Sequence, residues 1–352
     1  MAINSGQNRL RAWRFQRPAW IPIASGFGEL VWNSYDPDAL EDLLRTHPIL
    51  FPDYEPGAAR ALATRRTDLT AGAPYIDGWG CVWITNYTGM VGQVTRRPLE
   101  DWAGLDSLVP PDPEVSDGYL PVDWPALCTS VSEARGRGDV VILSLPHGHT
   151  FLRLQDLRGA QNLMLDMMDD EPRLRQLVAI VEGFNLQLVR RFLELRPDVI
   201  GIPEDLGAQK SLVISPQLFR QYIKPSYLRM TRVIKQQGVL VHLHSDGYIM
   251  EILDDLFDVG VDILNLQDLV NGIDDIARYV KGRVAIDLDI DRQNVTVHGS
   301  PQDIDDLIHE SVAKLGSPLG GLSLTYQPWP PTPIENMRAV YDALEKYCTY
   351  YS

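Results

Sequence analysis

The chain has 352 residues, 45% hydrophobic and 22% charged, an ordinary globular balance in a chain long enough to bury a sizeable core. A formal net charge of −15, spread along the chain, repels polyanions and so excludes nucleic acid and anionic membrane as partners. Cys81, Cys128 and Cys348 are too scattered for a disulfide framework or a paired-cysteine metal knuckle; with no apolar leader and no run of about eighteen apolar residues, the reading is a soluble, cytoplasmic protein.

The first third reads irregularly. DPDALEDLLRTHP (36–48) predicts a short helix with Asp36 or Asp38 at its cap and Pro48 beyond its end. GWGCVWITNYTGMVGQVTRRPL (78–99) holds two β-rich runs separated by Tyr87-Thr88-Gly89, the pattern of a hairpin. The proline-rich PPDPEVSDGYLP (110–121) is a connector and the one candidate internal boundary.

Beyond it the chain alternates. DWPALCTSVSEARGRG predicts a helix, DVVILSLP a buried strand, and 157–195 a long amphipathic helical stretch. Strands follow at 198–202, 239–243, 261–266, 283–288 and 321–325, with helices at 215–237, after Gly247, near 273–281, at 301–314 and at 333–347. Six apolar strand runs after residue 138, alternating with helices, carry the βαβ signature of a parallel sheet. One or two further strands upstream would close a single (β/α)8 barrel over 1–352, with an irregular elaboration over about 1–120. An open doubly wound sheet is the alternative; its dinucleotide-binding form lacks support, because no G-x-G-x-x-G follows an early strand.

In such sheets reactive groups gather where the strands end. The ends supply Glu204, Asp205 and Gln209, then His242, His244 and Asp246, then Gln267, Asp287 and Tyr326, an acidic set with mixed nitrogen and oxygen donors that suits zinc or a similar cation. His244, at the end of VLVHLHSDG (239–247), is a candidate ligand; His242, two residues deeper, reads as a hydrogen-bonded support. Asp205 and Asp246 can equally be helix caps. LPHGHTF (145–151) offers His147 and His149, but Gly148 between them implies a turn; the stretch reads mainly as a loop, with lining of the pocket as the alternative. Asp77, Trp79 and Trp83, in and after YIDGWG, are candidates for substrate contact.

Taken in order, EDLGAQKSLVISPQLFRQYIKPSYLRM, HLHSDGYIMEILDDLFDVGVDILNLQD and TPIENMRAV resemble the uroporphyrinogen decarboxylase superfamily, as do LRG (157–159) and YIDGWGCVW. The resemblance covers most of the chain from about residue 10 and implies a single-domain (β/α)8 barrel. True decarboxylases of this superfamily carry an arginine signature resembling MRQAGRYLPEY, which grips substrate propionates; here IPIASGFGELVW stands in its place, so decarboxylation of uroporphyrinogen is not expected. The other branch consists of corrinoid-dependent methyltransferases with zinc at the barrel mouth. Its thiol-methylating members bind zinc through a motif resembling His-x-Cys with a distant second Cys. His244-Ser245-Asp246 keeps the histidine and replaces the cysteine by aspartate, and no cysteine stands near Tyr326 or Gln327. A histidine and carboxylate set leaves a metal more electrophilic and suits polarisation of an ether oxygen.

The expected function is therefore zinc-assisted removal of a methyl group from a small substrate, a methoxylated aromatic among the options, and its transfer to a corrinoid protein. Glu204, His244 and Asp246 would hold zinc; Asp205, Asp246 and His244 would be catalytic; Asp77, Trp79, Trp83, Gln209, Gln267, Asp287 and Tyr326 would contact substrate. Cobalamin is assigned to a partner protein, since the chain has no D-x-H-x-x-G signature, and a homodimeric assembly is left open. The alternatives are a metal-independent lyase and a non-catalytic barrel that binds a small molecule.

Overall fold

Helices form where the sequence supplies both a start signal and an apolar stripe. The computed structural model describes residues 5–63 and 69–349. Asp36 starts Pro37–Thr46 by accepting from the N–H of Asp38, and Leu40, Leu43 and Leu44 bury the stripe that follows. Asp123 caps Trp124–Arg137 through the N–H of Ala126, and Gly138, at φ +79°, ends it in the left-handed conformation.

The long amphipathic stretch over 157–195 is filled by the end of Phe151–Arg158, by Ala160–Met168 and by Pro172–Glu194. Gly159, at φ +84°, makes the first break; Asp170, at φ +51°, and Pro172 make the second. The last helix buries Leu174, Leu177, Val181, Phe184 and Leu188, each worth about 1.5–3 kcal/mol. The helix expected over 215–237 likewise divides into Pro216–Leu218, a π turn Phe219–Ile223, and Lys224–Gln236. Pro225 lacks the N–H that an unbroken α ladder would need there.

The strands are β1 (Ile23–Ser25), β2 (Pro74–Ile76), β3 (Val82–Ile84), β4 (Gln93–Arg96), β5 (Ile142–Ser144), β6 (Val199–Gly201), β7 (Leu240–Ser245), β8 (Ile263–Gln267), β9 (Ala285–Asp289) and β10 (Leu322–Tyr326). The six expected after residue 138 are β5 to β10, and β1 is a further parallel strand before it. Parallel strands alternating with helices make the fold class α/β.

Two compact units are interleaved along the chain: the described parts of 1–73, 85–92 and 267–352, and those of 74–84 and 93–266. The proline-rich stretch 110–121 lies inside the second unit. In the first unit β10 pairs in parallel with both β1 and β9. Tyr326 is fully buried there, edge-on to Tyr341. Asp287 accepts from the Ser323 hydroxyl at 2.7 Å, and that hydroxyl in turn accepts from the Trp13 indole at 2.9 Å. Gln267 is buried, its carbonyl accepting from the Asn271 amide.

In the second unit β5, β6, β7 and β8 pair in parallel in chain order. A small antiparallel sheet, β2-β3-β4, adds one strand to the expected hairpin. The burial of β7 alternates, with Val241, Leu243 and Ser245 buried and His242 and His244 half-buried, as a period of two requires.

Candidate metal centre

The second unit brings three strand ends together. His147 follows β5, Asp205 follows β6, and His244 is the next-to-last residue of β7. Backbone hydrogen bonds tie the segments: Gly148 N–H donates to Pro203, Glu204 N–H to His244, and Tyr248 N–H to Ala208, at 2.8–2.9 Å. The Ser245 hydroxyl accepts from Leu206 N–H at 2.9 Å.

Two glycines allow this closeness. Gly207 and Gly247 lie back to back; a Cβ on Gly207 would meet Gly247 C at 2.6 Å, and one on Gly247 would overlap Gly207 C and O. Gly247 also has φ +80°. This is the physical reason that EDLG and HSDG each end in glycine.

The ligand atoms of His147, Asp205 and His244 lie within 4.8 Å of one another. His147 Nε2 is 3.0 Å from Asp205 Oδ1, and His244 Nε2 is 4.0 Å from the same oxygen. His244 Nδ1 donates to the side-chain oxygen of Asn265, its register partner on β8, so the tautomer leaves Nε2 with a lone pair facing the group. Burial lowers the His244 pKa, against the pull of Asp246, which favours the neutral imidazole that a metal needs. For His147 burial also acts downward, but the Asp205 hydrogen bond and nearby carboxylates outweigh it and the pKa is raised. Asp205 is lowered: burial raises it, and the contact with His147 and the charges of His147 and His244 reverse that.

The grouping differs from the ligand set read from sequence. His147, read as a loop residue, joins it; Glu204 and Asp246 do not. Asp246 Oδ1 stands 3.8 Å from His244 Nε2, and its N–H donates to Asp205 at 3.4 Å. Glu204 is fully buried and points elsewhere. It accepts from the N–H groups of Thr150, Phe151 and Leu152 at the start of Phe151–Arg158, the last two at 2.9 and 3.2 Å. Burial pushes its pKa up to about 7 although those N–H groups favour the anion. His149, 3.8 Å from Glu204, is held neutral by burial, with a pKa lowered to about 3. Gln209 is exposed in the turn after Asp205, and His242 lies half-buried opposite Gly201 and Ile263.

Asp77, Trp79 and Trp83 occupy a buried cluster, and the surfaces expected to meet substrate are covered. Asp77 accepts from the N–H groups of Trp79 and Cys81, from the Trp83 indole and, at 2.6 Å, from Arg153. The Trp79 ring packs on Phe184 and under Arg153; Trp83 packs on Tyr75 and Tyr119. The Arg153 guanidinium sits 3.7 Å from the Tyr119 ring centre. The Tyr119 hydroxyl lies 3.1 Å from Asp156 and 3.3 Å from the carbonyl of Gly148, so the cluster braces the turn that carries His147. Gln267, Asp287 and Tyr326 belong to the first unit.

The family model described as uroporphyrinogen decarboxylase matches residues 92–347. A solved methyltransferase from Methanosarcina mazei aligns over 100% of both chains with a TM-score of 0.65 at 17% identity. A B12-independent methionine synthase from a Shewanella species aligns over 64% of this chain and 66% of its own, with a TM-score of 0.42 at 12% identity. For a D-psicose 3-epimerase the shares are 68% and 82%, with a TM-score of 0.39 at 9% identity. No curated protein matches the chain. The Methanosarcina likeness, at its low identity, speaks to fold alone, and that fold agrees with the α/β barrel class read from the strand pattern. The family match spans well over half of the 352 residues, and the chain belongs to the uroporphyrinogen decarboxylase family.

Proposed function

We propose that the protein is a metal-assisted methyltransferase that removes a methyl group from a small substrate, a methoxylated aromatic being the leading class, and passes it to a corrinoid carried by a separate protein. The observation that carries the reading is the convergence of His147, Asp205 and His244, with the His244 tautomer fixed by Asn265. Two imidazoles and one carboxylate fit zinc, whose catalytic sites use three protein ligands and keep a fourth position for substrate. Bound there, zinc supplies Lewis acidity to the heteroatom that carries the methyl group.

The chain's own residues prepare that position. Asn265 holds the His244 ring, the Asp246 N–H holds Asp205, and in this reading the Asp246 carboxylate, 3.8 Å from His244 Nε2, orients the substrate. Gln209, exposed just beyond Asp205, is a further substrate contact in this reading. Among the described residues no helix is long and apolar enough to cross a membrane, and Cys81, Cys128 and Cys348 are all unpaired, which fits the cytoplasmic setting of the proposal.

The reaction class is that of the Methanosarcina methyltransferase whose fold this chain shares. The test is incubation of the zinc-loaded protein with free cob(I)alamin and a panel of methoxylated benzoates, following the absorbance of methylcobalamin. Methyl transfer that is lost on chelation supports the proposal; no transfer from any methoxylated donor overturns that substrate class. One contact favours a second reading: His147 and Asp205, 3.0 Å apart with the His147 pKa raised, form an acid–base pair able to serve a metal-free lyase. Turnover that survives chelation would select it.

A further inference from the structure

We propose that Glu204 is the positioning residue of this centre: its carboxylate, closed onto the first turn of Phe151–Arg158, holds the segments carrying His147, Asp205 and His244 in one arrangement. The inference rests on the metal reading above and assigns Glu204 a role other than ligand.

The N-terminus of Phe151–Arg158 lacks its usual local cap. Thr150 stands at the cap position of Phe151–Arg158, yet its side chain makes no capping bond; its hydroxyl is 2.6 Å from His149 Nδ1 and 3.2 Å from the Asn185 amide. The three N–H groups of the turn go to Glu204, more than fifty residues away in sequence. A local threonine oxygen would satisfy such a turn without burying a charge. A fully buried carboxylate costs several kcal/mol in desolvation unless its partners compensate. The fold carries that cost, and what it gains is a tie between strand ends.

Each end of the tie reaches a ligand. The turn that Glu204 caps follows directly on His147-Gly148-His149, and Gly148 N–H bonds the carbonyl of Pro203 beside Glu204. Asp205 is the next residue after Glu204 and faces His147. Glu204 N–H donates to the carbonyl of His244 itself, and Glu204 pairs with Ser245 in an isolated parallel bridge. One residue thus touches all three segments with its side chain and backbone. Replacing the carboxylate by a carboxamide sets an N–H2 against at least one of the helix N–H groups and loosens the turn that orients His147.

The test uses the full-length chain, stripped of metal and titrated with Co2+ while visible absorption is followed. Glu204→Gln is predicted to weaken Co2+ binding by about 10–100-fold and to keep the wild-type band pattern at saturation, since the donors are unchanged. Leu188→Ala, a purely apolar core change, is predicted to lower the melting temperature and leave Co2+ affinity as in the wild type. Wild-type affinity in Glu204→Gln overturns the proposal, and so does an altered band pattern at saturation, which would make Glu204 a direct ligand. If the wild type takes up no Co2+, the metal reading fails. Positioning is then decided by the imidazole nitrogen resonances of His147 and His244: a shift in Glu204→Gln upholds it and unchanged resonances overturn it. Should Glu204→Gln fail to fold, Glu204→Asp keeps the charge and shortens its reach to the three N–H groups. A several-fold loss of Co2+ affinity is expected, and wild-type affinity overturns the proposal.

Discussion

His244 and Asn265 face each other in register on the parallel strands β7 and β8, and the histidine Nδ1 donates to the asparagine side-chain oxygen. A ring held at Nδ1 presents Nε2, and neither rotates nor changes tautomer without breaking a largely buried hydrogen bond. Asn265→Leu is therefore expected to reduce zinc affinity by about 10–100-fold while the fold is kept. Competition with a chromophoric chelator measures this, and wild-type affinity in the variant would remove Asn265 from the site.

The contact between Gly207 and Gly247 makes a separate prediction. Gly247→Ala places a methyl group against the Gly207 backbone at a left-handed φ of +80°. The strain and the overlap together are expected to destabilise the protein by about 2–4 kcal/mol, read from denaturant unfolding. Gly238, also left-handed at φ +71° but with no atom within 4 Å of a Cβ, isolates the backbone part. Gly238→Ala should cost only about 1–2 kcal/mol.

Much of this was legible in sequence, and the failures have physical causes. Apolar runs at strand spacing located β5 to β10 because buried parallel strands leave near-continuous hydrophobic segments. β1, Ile23-Ala24-Ser25, carries a single large apolar side chain and so leaves no such run. Glu204 and Asp205 are adjacent carboxylates, and only the fold decides that Asp205 turns to His147 and Glu204 to a helix end. Gly148 next to His147 read as looseness; in the structure its N–H and carbonyl are held by Pro203 and Tyr119. Trp79 and Trp83 looked available because glycines surround them, whereas the nearby Asp77 collects donors from both and closes the cluster.

That cluster also fixes a stability prediction. Arg153 is 2% exposed at its side chain and pairs with Asp77, which is fully buried. Arg153→Met strands the carboxylate and is expected to cost about 3–5 kcal/mol, measured by chemical denaturation. A loss below about 1 kcal/mol, the range of exposed pairs, would contradict the buried geometry.

Asp156 gives the cluster a pH dependence. Burial raises its pKa from 3.8 to about 6, against the opposing pull of Arg153 and Tyr119. The folded state thus holds this proton more tightly than the unfolded chain. Its contribution favours folding below about pH 4 and is lost as pH rises through 6. Asp156→Asn removes the titration, so unfolding free energy measured from pH 4 to 8 should fall less in the variant than in the wild type, by about 2–3 kcal/mol. Parallel pH profiles would contradict the assignment.

If His147, Asp205 and His244 hold one metal ion, zinc retained after dialysis against a weak chelator depends on all three. About one zinc per wild-type chain is expected, as a three-ligand catalytic site would hold, with loss of most of it in each of His147→Ala, Asp205→Ala and His244→Ala. His242→Gln should keep most of its zinc. Equal zinc in the wild type and the three ligand variants, or none in the wild type after growth with added zinc, would contradict that three-ligand site.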